Sequence, residues 1–328
     1  MRRIPLIPAL IAGSAAVLFA ACLLGSTPMP PSRVLTALFG TAAAGDVTIV
    51  WSIRLPRALA AWLVGASLGV SGAALQGLLR NPLAEPGILG VSATASLLAA
   101  VAIYYGFAAA AVWIMPVAAI AGALIATALI TLLAIRVQSV VTLILVGVAL
   151  SSFAGAAMSL LLNLAPNPFS LADMINWMLG SVANRSFDDI ALALPFMVSG
   201  AAVLMLTRRG LSALTVGEEA AAGLGLDLQR QRIAVVVGAG LATGAAVSLA
   251  GAIGFVGIIA PHLVRPWVRS DPARVLLPSA LLGGIMLVLA DIGVRLAPTS
   301  SELKLGVVAA LVGAPAFAWI AAQRRGAS

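Results

Sequence analysis

Long apolar runs alternate with short polar segments along almost the whole chain. A membrane-crossing helix needs roughly 20 apolar residues, and most of the runs have about that length. The pattern therefore predicts an all-α membrane protein with about ten transmembrane helices in a single domain, residues 1–328. The eighth span is short and is interrupted by Pro261 and Pro266, which leaves its length and depth open. The predicted spans are residues 4–25, 57–79, 87–106, 108–135, 139–163, 189–207, 232–249, 252–268, 275–296 and 305–322.

The composition supports a lipid-facing surface. Hydrophobic residues make up 62% of the chain, charged residues only 9%, and the mean hydropathy is +1.11. Soluble domains usually carry about 25% charged residues. With so few charges the chain cannot cover a surface that faces water, so most of its surface must face lipid.

The cations lie at the ends of the apolar runs, so we interpret the net charge of +8 as a topology signal and not as nucleic-acid binding. With the N-terminus in the cytoplasm, the inner side holds Arg2, Arg3, Arg80, Arg136, Arg208, Arg209, Arg230, Arg232, Arg265, Arg269, Arg274, Arg324 and Arg325. The outer side holds Arg33, Arg54, Arg57, Arg185, Arg295 and Lys304. This bias predicts that both termini are cytoplasmic and that the number of spans is even.

Three segments lie outside the predicted spans. Two are on the outer side, residues 26–56 and 164–188, and the second contains a predicted short helix near 170–180. The third, residues 208–232, is the longest inner segment. Its stretch Glu218–Leu224 can form one or two helical turns, which Gly225 can end.

The rarest residue types exclude several kinds of chemistry. Cys22 is the only cysteine and His262 the only histidine, so a disulfide within the chain and a multi-histidine metal site are both excluded. Lys304 is the only lysine, and no glycine-rich loop precedes it. Because a P-loop needs a lysine on the phosphates, this chain cannot hydrolyse ATP by that route. Any ATP must be used by a partner.

Gly65-Ala66-Ser67-Leu68-Gly69 matches the G-x-S-x-G pattern of serine hydrolases. The base that such a nucleophile needs is missing, because His262 lies in another predicted span on the inner side. Gly65 and Gly69 also form a small-xxx-small face that allows close helix packing. We favour packing, and keep an intramembrane enzyme as a competing hypothesis with no catalytic residue assigned.

Charges within or beside the spans are costly in lipid and therefore informative. Asp291 and Arg295 share a helix face, and form either a local ion pair or a rim presented to an external partner. Arg54 and Arg57 lie on the same outer side, so with Arg295 they can form a basic rim that suits an acidic docking protein. No span carries a central acid with a second acid or histidine as a partner, which argues against a proton-coupled secondary transporter.

The sequence resembles the FecCD-type (type II) permease subunits of ABC importers over about residues 50–322. The resemblance is carried by residues 54–92, 177–181, 214–226, 249–265, 276–296 and 302–320. Its most specific signals are two short motifs, Asn81-Pro82-Leu83-Ala84-Glu85-Pro86-Gly87 and Gly254-Phe255-Val256-Gly257 followed by Pro261-His262. One departure is Lys304-Leu305, where relatives usually have Pro-Val, at the start of the predicted tenth helix.

The resemblance implies a function and a set of partners. It implies a homodimer in the bacterial inner membrane, two cytoplasmic ATP-binding subunits that use ATP and magnesium, and a periplasmic substrate-binding protein. The chain itself is then not an enzyme and binds no cofactor, metal or nucleic acid, and its remaining contacts are with membrane lipid. The implied substrate is an iron complex, either an iron(III)-siderophore or haem, with cobalamin as the alternative.

The resemblance also implies roles for particular residues. The segment that couples the permease to the ATPase corresponds to about residues 215–232, with Glu218, Ala221, Leu224 and Gly225 matching the family pattern after a one-residue shift in spacing. The family's basic contacts to the binding protein correspond to Arg54, Arg57 and Arg295.

Overall fold

A computed structural model describes residues 6–25, 29–136, 140–298 and 302–323, and these residues are almost entirely helical. Seven helical stretches are long and apolar enough to cross a membrane, and Val91–Tyr104 and Leu305–Phe317 are shorter apolar helical stretches. The passages are α1 (Leu6–Leu23), α4 (Leu55–Leu78), α5 (Val91–Tyr104), α6 (Ile114–Arg136), α7 (Val140–Asn163), α9 (Phe187–Leu206), α12 (Leu228–Ala250), α13 (Val256–Val264), α14 (Pro272–Leu296) and α15 (Leu305–Gln323). The predicted all-α membrane architecture is therefore confirmed, and α15 begins at Leu305 directly after the unusual Lys304.

The eighth passage differs from the continuous span predicted over residues 252–268. Residues 251–255 are not helical, and α13 then forms a helix of only 9 residues. Phe255, which immediately precedes α13, adopts a left-handed conformation with φ of 68°. Backbone that is not helical can lie within a membrane only where protein covers it or where it lines a cavity. Here α15 covers it, because Gly306 approaches the carbonyl oxygen of Ala252 and Gly313 approaches the ring of Phe255.

Helix α4 lies at the centre of the bundle and packs directly on α13 and α14. A Cβ atom at Gly65 would overlap the carbonyl oxygen of Gly283, and one at Gly72 would overlap that of Gly257. Gly69 faces Ser279 in the same way. The small residues of the G-x-S-x-G stretch therefore serve helix packing, as small-xxx-small faces do in other membrane proteins.

Short helices occupy the segments between the passages. On one side, α2 (Pro31–Leu38) and α3 (Ala44–Thr48) precede a π-helical turn, Ile49–Arg54, that runs directly into α4. On the same side α8 (Pro168–Met178) confirms the helix predicted near 170–180. On the other side, α10 (Arg208–Ala213) and α11 (Glu218–Gly223) form the segment between α9 and α12.

Candidate functional site

The cations that the charge bias assigns to the outer side lie at one end of the helix bundle, which we call the predicted outer end. The ring of Trp51, just before α4, lies 6.2 Å from that of Phe187 at the start of α9. Arg57 forms an ion pair with Glu302, two residues before Lys304. The segments that precede α4, α9 and α15 are thus close together at this end.

Asp291 is the centre of a buried ion-pair cluster at the predicted outer end. Its side chain is 1% exposed and accepts hydrogen bonds from Nε and Nη2 of Arg57 at 3.0 and 2.7 Å. Arg295 Nε lies 3.1 Å from the second carboxylate oxygen of Asp291. We call Arg57, Asp291, Arg295 and Glu302 the Asp291 cluster. The predicted ion pair between Asp291 and Arg295 is confirmed, and Arg57, 234 residues away from Asp291 in sequence, joins it.

Arg54 and Arg295 also cap the C-terminal end of α1. Arg54 Nη1 donates to the carbonyl oxygens of Cys22 and Leu23 at 2.8 and 2.9 Å. Arg295 Nη1 donates to those of Ala21 and Leu24 at 2.9 and 3.1 Å. The last four carbonyl groups of a helix have no partner within it, and α1 has no basic residue in its own last turn. Two distant arginines therefore supply both the hydrogen bonds and the positive charge that this helix end favours.

The predicted basic rim is thus brought together, but it is mostly buried. Arg54 is 5% exposed, and the side chains of Arg57 and Arg295 are 12% and 8% exposed. All three line a pocket of about 250 Å³ together with Glu302. Because their charges already meet carboxylates and carbonyls of this chain, their role as docking contacts stays a prediction.

A second pocket at the predicted outer end holds cations in a different setting. It has a volume of about 430 Å³, and we call it the Arg185 pocket. The Arg185 guanidinium lies 5.5 Å from the centre of the Trp177 ring in a cation–π contact. Burial lowers the pKa of Arg185 below its ordinary value, and the charge of Asp189 partly offsets this shift. The polar side chains that line the pocket are Asp173, Asn176, Trp177, Ser181, Asn184, Arg185 and Lys304.

The two short motifs of the sequence pack against each other inside the bundle. Gln76 Nε2, on α4, donates to the carbonyl oxygens of Ala84 and Gly257, at 3.2 Å in both cases. Gln76 Oε1 accepts from Arg265 at 2.5 Å. Gln76 is 2% exposed, so one buried amide joins both motifs to the central helix.

Each remaining motif residue has a local structural role. Asn81 Oδ1 accepts a hydrogen bond from the backbone N–H of Leu83 at 2.9 Å. This hydrogen bond closes the turn after α4, and Pro82 lies between the two residues. Glu85 Oε2 accepts from the backbone N–H of Phe255 at 3.3 Å, and Pro86 packs on Gly257. Glu85, Pro86, Gly87, Gly254 and Gly257 line a pocket of about 200 Å³, the motif pocket. Pro261 is buried within α13, and His262 lies beside it, half-buried.

The predicted coupling segment contains a short helix that is followed directly by an exposed leucine. Glu218 begins α11 and pairs with Arg232 at 2.8 Å, while Ala221 is fully buried. Leu224, by contrast, is 77% exposed. Gly225 has a φ of 90°, a conformation that glycine adopts without steric cost, and it ends this helical segment as predicted.

Sequence reasoning missed two features. Gln76 gave no signal, because a lone amide in an apolar run shows nothing of its partners. The sequence assigned Arg185 only to the outer side. Trp177, eight positions earlier, is the signal that could have indicated a cation–π contact, because guanidinium groups stack on aromatic rings.

Seven helical stretches long and apolar enough to cross a membrane, with the interrupted passage of α13 among them, are the architecture of a polytopic membrane protein. The model of the FecCD transport family matches residues 13–323, and the chain belongs to this family.

Two relatives are similar over most of their length. The chain is 41% identical over 277 residues to the uncharacterized ABC transporter permease protein YvrB of Bacillus subtilis, with 83% of this chain and 78% of the relative covered. It is 43% identical over 276 residues to the vitamin B12 import system permease protein BtuC of Salmonella paratyphi A, with 83% and 82% covered.

A solved structure agrees with the fold. It is described as an inward-facing conformation of an ABC transporter assigned to the metal-chelate type. The TM-score is 0.85 at 27% identity, and the match covers 97% of this chain and 98% of the other. The chain is therefore an ABC transporter permease.

Proposed function

We propose that this chain is the membrane-spanning subunit of an ATP-driven importer for a metal chelate. The family match over residues 13–323 carries the proposal. The chain has no P-loop lysine, so ATP and magnesium are used by separate ATP-binding subunits. A second copy of the chain and a periplasmic substrate-binding protein complete the importer in the bacterial inner membrane, with both termini cytoplasmic.

The substrate has two candidates within this class. Cobalamin is the first, because a relative that is 43% identical is named as a vitamin B12 import permease. An iron complex, an iron(III)-siderophore or haem, is the second, and the metal-chelate description of the solved neighbour is compatible with it.

Uptake into proteoliposomes tests the proposal and separates the candidates. The permease is reconstituted with the ATP-binding and substrate-binding proteins that co-purify with it, and radiolabelled cobalamin, an iron(III)-siderophore and haem are each supplied with ATP inside. We expect ATP-dependent uptake of one of them. Uptake driven by a proton gradient without ATP would instead identify a secondary transporter.

We further propose that α11 transmits the state of the ATPase to the bundle. Leu224 supplies an exposed apolar contact, and the Glu218–Arg232 ion pair joins the segment to the start of α12. Differential contact of the ATPase with two permease states is what shifts their populations.

Leu224→Asp is therefore expected to uncouple transport. A charge at this exposed position places an unpaired carboxylate in the apolar contact, so ATP-driven uptake should fall at least tenfold while the permease remains folded. Trp267→Asp is the matched control, because Trp267 is a similarly exposed apolar residue, at 73%, that lies outside the predicted coupling segment. Equal transport by the wild-type protein and Leu224→Asp would remove α11 from the coupling contact.

A further inference from the structure

The Arg185 pocket contains donors that lack acceptors. Arg185 Nε and the indole Nε1 of Trp177 are both sealed from solvent, and within the described part of the chain neither has a hydrogen-bond acceptor. Trp177 is 8% exposed, so its donor is not satisfied by bulk water. A buried donor without an acceptor costs roughly 1–3 kcal/mol, and more when it is charged.

Within the described residues Arg185 also has no ion-pair partner, and the charge of Asp189 acts on it only from a greater distance. Across residues 6–25, 29–136, 140–298 and 302–323, no carboxylate lies within ion-pair distance of Arg185 or of Lys304. Asp173 lines the same pocket but is exposed and makes no ion pair with either cation. Buried cations are normally paired, because removing an isolated charge from water is very costly.

We propose that the Arg185 pocket is an anion-binding site that takes a carboxylate or phosphate group carried by a small solute. Arg185 and Lys304 supply the charge, and the amides of Asn176 and Asn184 are further donors on the pocket wall. Arg185 as a whole is half-buried, which leaves part of its side chain open to a solute in the pocket.

The dimensions and position of the pocket identify a solute as the source of the anion. Its volume of about 430 Å³ falls within the roughly 300–1,000 Å³ typical of small-molecule sites. Ala250 and Gly251 form part of its lining, and the residues that follow, from Ala252 to Gly257, line the motif pocket. A solute held by its anionic group therefore lies at the start of a backbone segment that leads into the bundle. The identification of this solute as the transported chelate rests on the proposed function.

Anion binding can be measured on the purified full-length permease in maltoside detergent, without partners or ATP. The probes are citrate and inorganic phosphate, each titrated against chloride at matched ionic strength, with tryptophan fluorescence and the thermal unfolding midpoint as readouts. We expect a saturable fluorescence change and a rise in the unfolding midpoint for at least one probe, because a ligand that binds only the folded state stabilises it.

Substitutions at the pocket locate the site. Arg185→Leu and Lys304→Gln should each weaken the apparent affinity at least tenfold, and the second variant serves if the first does not fold. Asp173→Asn should tighten it severalfold, because it removes the only carboxylate among the pocket's named polar residues. Arg230→Gln, an exposed cation at the opposite end, should leave the affinity unchanged.

Three outcomes would overturn the proposal. The first is no saturable response to either probe, and the second is equal affinity in the wild-type protein and both pocket variants. The third is a response to phosphatidylglycerol vesicles but to neither soluble probe, which would identify a lipid headgroup as the occupant. ATP-driven uptake is measured separately, so a failure here would leave the proposed transport function intact.

Discussion

The Asp291 cluster and the Arg185 pocket lie at the same end of the bundle, and both contain arginine side chains that are at least half-buried. In the Asp291 cluster every buried guanidinium meets a carboxylate or the end of α1, so its charge is paired, although Nε and Nη2 of Arg295 make no hydrogen bond within the described residues. In the Arg185 pocket the guanidinium contacts the ring of Trp177 and forms no ion pair with any described residue, although the charge of Asp189 acts on it from farther away. A site whose charges are satisfied internally is a structural element, whereas a site that keeps an unsatisfied charge is suited to bind a ligand.

The strongest test of this difference is Asp291→Ala. The substitution leaves Arg295 buried without a carboxylate and leaves Arg57 with Glu302 alone, so we expect a loss of about 3–5 kcal/mol in the free energy of unfolding. Unfolding in mixed maltoside and dodecyl sulfate micelles measures it. Asp173→Ala in the other pocket is the matched control and should change stability by less than about 0.5 kcal/mol, because its carboxylate is exposed and pairs with no described residue. Similar losses in both variants would remove the distinction.

Arg185→Leu should have a smaller effect of the opposite sign. It replaces an unneutralised cation by an apolar side chain, and in the absence of multivalent anions we expect unfolding to require about 1 kcal/mol more. The same measurement on Arg57→Leu should show a loss, since that change leaves Asp291 with Arg295 alone. A clear destabilisation by Arg185→Leu without added anion would show that this guanidinium is satisfied within the protein.

The smallest expected effect is that of Glu302→Gln. Glu302 has 42% of its side chain exposed, so its pair with Arg57 should contribute less than about 1 kcal/mol and weaken as salt rises.

The Glu302→Gln substitution also releases Arg57 from one partner. If the binding protein docks through acidic residues on Arg57, its affinity should rise severalfold at low salt, and surface plasmon resonance can follow this. An unchanged affinity at low salt would count against docking at Arg57.

The membrane passages could be predicted because their signal is local. A run of apolar residues requires no knowledge of partners, and α9 and α14 begin within three residues of their predicted starts. The end of the helical segment that contains α11 could be placed at Gly225 for the same reason, since the conformation it adopts favours glycine.

The contacts that define the sites could not be predicted, because they join distant parts of the chain. The basic rim was inferred from Arg54, Arg57 and Arg295 lying on one side. Nothing in their spacing showed that Asp291 would neutralise two of them or that two would cap α1. The interruption before α13 was equally hidden, because residues 251–255 are as apolar as the helix that follows.

The glycine contacts of α4 have a mechanical consequence. Gly65 and Gly69 touch the backbone of α14, and Gly72 touches that of α13, with no side chain between them to change rotamer. Interlocked backbones cannot slide past one another without separating, so these three helices form a rigid body. A shift of α4 along α13 or α14 would therefore require their backbones to separate first, so we expect these three helices to move together.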